Sequence, residues 1–78
     1  MATVKLTKEN FEQTIENIDI VFLDFWASWC APCQSFGPVF EAASENNPDI
    51  VFGKINTEEE RELAQQFQIR SIPSIMNY

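Results

Sequence analysis

An α/β domain with alternating strands and helices is what this sequence predicts, and three observations carry the prediction. Ile20 to Ala27 and Ile50 to Ile55 are nearly continuous apolar runs, rich in β-branched and aromatic residues. That is the pattern of strands buried on both faces, as in a parallel sheet. Beyond each run the apolar period changes to helical: Cys33, Phe36, Phe40 and Ala43 share one face, then Leu63, Ala64 and Phe67 share another. The whole chain reads β-α-β-α-β-α-β, and such alternation implies parallel pairing with helices covering the sheet. At 78 residues it is a single domain, 1–78.

Each element has its own local signal. Val4-Lys5-Leu6 reads as a short first strand. Thr7 is the expected N-cap of a helix whose inner positions are Phe11, Ile15 and Ile18. The helix after Cys30 contains Pro38, which removes one hydrogen bond and is expected to kink it. Asn46-Asn47-Pro48-Asp49 is a turn. Thr57 and Glu60 have the spacing of a capping box, with Glu58, Glu59 and Glu60 in the first turn of the third helix. Ile72-Pro73-Ser74-Ile75-Met76 begins the last strand.

Composition excludes several functions. Twelve acidic residues against five basic ones give a net charge of −7, which disfavours nucleic acid and anionic membrane surfaces as partners. No stretch approaches the roughly 20 apolar residues of a membrane span. The segment from Met1 to Lys5 lacks the apolar centre of a signal peptide. The expected setting is cytoplasmic and reducing, where a cysteine pair is more often catalytic or metal-binding than structural.

The two cysteines stand in "FWASWCAPCQSF", at the junction of an apolar strand and a helix. Residues i and i+3 of a helix have Cβ atoms about 5–6 Å apart. A disulfide needs about 3.5–4.5 Å, so a small adjustment of the first turn closes the bridge reversibly. Free N–H groups at the helix N-terminus stabilise a thiolate, which makes Cys30 the nucleophile. Cys33, one turn further in, is expected to be more buried and to act as the resolving thiol. Pro32 suits the first turn, where its missing N–H costs little. A closed zinc site wants four ligands, and two cysteines with no histidine supply too few. No metal is expected. The absence of histidine also removes Cys-His catalysis.

Asp24 lies inside an apolar strand, two positions before Trp26. Burial raises the pKa of such a carboxyl and makes it a candidate proton acceptor for the second thiol. The plainer reading pairs it with Lys54, in the middle of the other apolar strand. For Pro73, the sequence alone favours an ordinary trans proline in a loop.

Taken together, "FLDFWASWCAPC", Pro38 eight residues beyond Cys30, "KIN" and "SIPS" resemble the thioredoxin family, in the right order from near residue 3 to residue 78. The resemblance implies the thioredoxin fold and protein-disulfide reductase chemistry, with no bound cofactor beyond the redox-active Cys30–Cys33 pair. By motif, Cys30 matches the attacking cysteine, Cys33 the resolving one, Asp24 the buried acid and Lys54 its lysine neighbour. Trp29, with Ala31 and Pro32 inside the motif, falls on the substrate-contacting surface. Ile72 matches the backbone position that hydrogen-bonds an extended substrate strand, and Pro73 a cis-proline facing the disulfide. Trp26 and Pro38 fall in structural places. Disulfide-containing proteins are the implied substrates and an NADPH-dependent thioredoxin reductase the implied reductant. An oxidase or isomerase, or a non-catalytic interaction module, are the alternatives. Two departures stand out: Ala31 replaces the usual Gly, and Gln34 stands where a basic residue is common. The family's final edge strand and C-terminal helix are missing from these 78 residues, so a bare sheet face and edge, and self-association through them, are expected.

Overall fold

The computed structural model describes residues 3–16 and 18–78. Four strands and three helices follow in the expected order: β1 (Thr3–Lys5), α1 (Phe11–Ile15), β2 (Val21–Trp26), α2 (Ala31–Asn46), β3 (Val51–Asn56), α3 (Arg61–Gln66) and β4 (Ser74–Asn77). They form one sheet of order β1-β3-β2-β4. β1 and β2 both pair in parallel with β3, Asp24 standing opposite Lys54.

β4 runs antiparallel to β2, with Phe25 opposite Ser74 and Phe22 opposite Asn77. This corrects the all-parallel expectation. The physical reason lies in the third connection. β3 ends at Asn56, opposite Trp26, and the chain through α3 re-enters at Ser74, opposite Phe25, at the end of the sheet it had just left, so β4 runs the other way.

Alternation along β2 divides the core into two layers. Val21, Leu23 and Phe25 point toward α1 and α3, where they pack with Leu6, Phe11, Ile55 and Leu63. Phe67 meets Phe11 and Phe25 there at 5.6 Å between ring centroids. Phe22, Asp24 and Trp26 occupy the α2 face, where Phe40 meets Phe52 at 5.2 Å. At Gly53 the layers approach closely: a Cβ there would lie 2.9 Å from Leu6 Cγ, so the fully buried Leu6 requires glycine.

Two predicted caps are replaced by other hydrogen bonds. Thr7 is not the N-cap of α1. It and Asn10 build a turn ahead of the helix, the Thr7 N–H donating to Asn10 Oδ1 at 2.7 Å, and Asn10 becomes the cap residue. Glu16 is already extended, and Ile18 lies outside the helix, 39% exposed. The Thr57–Glu60 box is also absent. Thr57 Oγ1 donates to the Trp26 carbonyl at 3.1 Å, and Glu60 Oε1 accepts from the Lys8 N–H at 2.9 Å. The three glutamates fall in the turn before α3, where Asn56 Oδ1 accepts the Glu58 N–H.

Candidate active site

β2 ends at Trp26 and the chain turns over Ala27–Cys30, closed by the Cys30 N–H donating to the Ala27 carbonyl at 3.2 Å. Cys30 is then the N-cap of α2. Its Sγ accepts from the Cys33 N–H at 3.2 Å, and proline occupies the first turn. The strand-to-helix change thus places sulfur at the positive end of the longest helix, where negative charge is favoured. Cys30 and Cys33 are joined as a disulfide with Cα atoms 5.2 Å apart.

Burial does not distinguish the two cysteines as the sequence reading expected. Cys30 is 4% exposed and Cys33 5%. Ile72 packs on the pair, and its carbonyl oxygen lies 3.7 Å from Cys30 Sγ. Their surroundings differ instead. Cys30 sits under the Ile72 segment, while Cys33 lines a cleft beneath α2 together with Trp26, Gly37, Pro38, Glu41 and Lys54. Pro38 lies inside α2, which runs unbroken through it.

Asp24 is 1% exposed and its Oδ1 has no hydrogen-bond partner among the described residues. Burial pushes its pKa up to about 6, and the charge of Lys54 opposes that shift. Although the two residues are opposite each other on neighbouring strands, they form no ion pair. Lys54 Nζ instead sits over the Trp26 ring, 5.3 Å from its centroid. The ammonium thus rests on the Trp26 ring, and its charge opposes the effect of burial on the Asp24 carboxyl without cancelling it.

On the outer side, Trp29 is 71% exposed, and Ala31 and Pro32 are also exposed. A cleft of about 420 Å³ runs from Trp29 past Thr57 and Ala64 to Arg70 and Ile72. The Ile72–Pro73 bond is cis, as the family resemblance implied and against the reading of the sequence alone. The β2–β4 ladder starts at Ser74, so the Ile72 backbone stands outside it. Two residues that sequence reasoning missed are Ser28 and Glu58. Glu58 Oε1 accepts from both the N–H and the hydroxyl of Ser28, and nothing local in the sequence links residues 30 positions apart. Among the described residues no group of three or more potential ligands is placed to hold a metal, and no helix is long and apolar enough to cross a membrane.

A thioredoxin family profile matches residues 2–78. The chain belongs to the thioredoxin family. It is 60% identical over 75 residues to a thioredoxin homologue of Streptomyces coelicolor, covering 96% of this chain and 56% of that protein. It is 42% identical over 76 residues to the thioredoxin of Alicyclobacillus acidocaldarius, covering 96% of this chain and 72% of that one. The crystal structure of a Malassezia sympodialis thioredoxin superposes with a TM-score of 0.87 at 32% identity, over 100% of this chain and 71% of that chain. The fold is the thioredoxin fold. The chain spans about half the length of the first curated relatives it matches, 56% and 51%.

Proposed function

We propose that this protein is a thiol–disulfide oxidoreductase that reduces protein disulfides. The observation that carries the reading is the disulfide at the N-terminus of α2, with Cys30 Sγ beside the Ile72 carbonyl and the cis Ile72–Pro73 bond. The described state is the oxidised form. In the reduced form the Cys30 thiolate, held by the Cys33 N–H and the helix end, attacks one sulfur of a substrate disulfide. That S–S bond breaks, its other sulfur leaves as a thiolate, and a mixed disulfide forms.

Cys33 then loses its proton to Asp24. The resulting thiolate attacks Cys30 Sγ, expels the second substrate sulfur and restores the Cys30–Cys33 bond. Two electrons have passed to the substrate. Asp24 suits this role because it is buried, unpartnered and poised near neutrality. Lys54 tunes it through charge. Trp29, Ala31 and Pro32 form the exposed contact surface. The Ile72 backbone, free of the sheet ladder, accepts an extended substrate segment as an added strand. An external flavoenzyme drawing on NADPH, of the thioredoxin-reductase kind, returns the pair to the dithiol, and no resident cofactor takes part. A reducing, cytoplasmic compartment suits this direction of electron flow, which serves general redox homeostasis.

Insulin-disulfide reduction by the 78-residue chain tests the reading. Cys30→Ser should abolish turnover, and Cys33→Ser should accumulate mixed disulfides with substrate because attack survives and resolution does not. Release of substrate from the Cys33→Ser variant as fast as from the parent would overturn the assignment of roles.

A further inference from the structure

The turn that delivers Trp29 and Cys30 has a single backbone hydrogen bond of its own, and both of its central residues, Ser28 and Trp29, are exposed. A turn of this kind is free to fray. Yet every polar group of Ser28 is engaged. Its N–H and Oγ donate to Glu58 Oε1 at 2.9 and 2.7 Å, and its carbonyl accepts from Gln34 Nε2 at 2.7 Å. The partners come from two different elements, Glu58 from the segment after β3 and Gln34 from the start of α2. Two of the three bonds are to a carboxylate and therefore stronger than neutral ones.

We propose that Gln34 and Glu58 are positioning residues that clamp Ser28 and, through it, hold Cys30 in the N-cap geometry that stabilises its thiolate. The proposal rests on the exchange chemistry proposed above, and it gives a role to the departure of Gln34 from the usual basic residue. The chain of cause is short. Cys30 Sγ lies 3.2 Å from the Cys33 N–H with the turn in this conformation. Releasing Ser28 lets the Ser28–Trp29 backbone rotate, lengthens that contact and withdraws the donor from the thiolate. The thiol then moves back toward its ordinary value of about 8.5. Ser28 in turn keeps the Glu58 carboxyl below the usual range through the same two hydrogen bonds, so the clamp stays ionised wherever the thiolate is in use.

Gln34 allows position to be separated from charge, because it is neutral. Gln34→Met keeps the side-chain length and helix preference and removes only the donor. The charged groups that line the clefts on either side of the pair, Lys54 and Glu41 on one and Arg70 on the other, are unchanged by it, as are Asp24 and Glu58. Loss of the Glu58 carboxylate would by field alone lower the thiol's pKa, so an upward shift in Glu58→Ala also reports geometry.

The experiment is the pH dependence of iodoacetamide alkylation at Cys30 in the reduced 78-residue chain, read by peptide mass, beside insulin turnover. Gln34→Met should shift the Cys30 profile to higher pH and slow alkylation below its midpoint roughly two- to five-fold, with the melting temperature unchanged. Glu58→Ala should shift it in the same direction. Profiles of Gln34→Met and parent that coincide would overturn the clamp, as would a shift matched by a fall in melting temperature. The alkylation comparison does not depend on turnover: if the parent fails to reduce insulin, the proposed function falls while the clamp is still decided.

Discussion

Asp24 combines two properties that rarely occur together, full burial and an oxygen with no partner. A carboxyl in that position favours its protonated form, and its pKa rises from 3.8 to about 6. The sign of the stability effect follows. Below 3.8 the group is protonated whether the chain is folded or not. Between 3.8 and about 6 the folded protein keeps a proton that the unfolded chain has released, so stability falls as pH rises. Above that window the penalty is complete, on the order of 3 kcal/mol. Asp24→Asn should therefore stabilise the protein at pH 8 by on the order of 1–3 kcal/mol, and the gain should vanish as pH falls toward about 4. Urea unfolding of both proteins across that range checks it. The same variant should resolve mixed disulfides more slowly and lose the rise of turnover through pH about 6. A less stable yet equally active variant would make Asp24 structural.

At the scale of elements, α3 shows how a short helix is closed. The Ile69 N–H donates to the Ala64 carbonyl and the Gln68 N–H to that of Gln65, the two bonds of a Schellman motif. Gln68 occupies its left-handed position with φ 57°, where a side chain costs about 1–2 kcal/mol. Glycine avoids that strain but adds freedom to the unfolded chain. Gln68→Gly is expected to raise stability by a net ~0.5–1 kcal/mol, measurable by chemical denaturation with activity unchanged. Equal or lower stability would mean that Gln68 makes a compensating contact. The closure matters to the site because it directs Ile69 to Ile72 back across the end of the sheet, against Cys30.

For the molecule as a whole, the sheet has one sparsely covered region. Among the described residues β4 pairs only with β2 and forms an edge. On the α2 side a cleft of about 350 Å³ is lined by Phe22, Phe40, Phe52, Val39 and Ile75 among others. Val39 is 59% exposed and Ile75 47%. An open edge beside an apolar cleft favours association of like chains. The 78-residue chain is expected to show a thermal midpoint that rises with protein concentration, and sedimentation equilibrium should find dimers or larger species. Val39→Glu, on the rim of the cleft, should weaken that association. A compact monomer with a concentration-independent midpoint would show that the face costs the protein little.

The sequence by itself determined the order of elements, the place of Cys30 and Cys33 at a strand-to-helix junction, and the anomaly of Asp24 in an apolar strand. All three are local: they depend on apolar period, on a spacing of three, and on one charge among hydrophobic neighbours. The tertiary structure alone decided the rest. β4 is antiparallel because the chain through α3 re-enters the sheet beside Phe25, at the end where β3 leaves it. The cysteines are equally buried because Ile72, 42 positions away from Cys30, folds back over them. Thr57 and Glu60 abandon their local cap because Trp26 and Lys8 present better partners. Ser28 is held by Glu58 and Gln34 for the same reason. A polar side chain has several partners within reach along the chain, and only the packing of apolar elements settles which of them arrives.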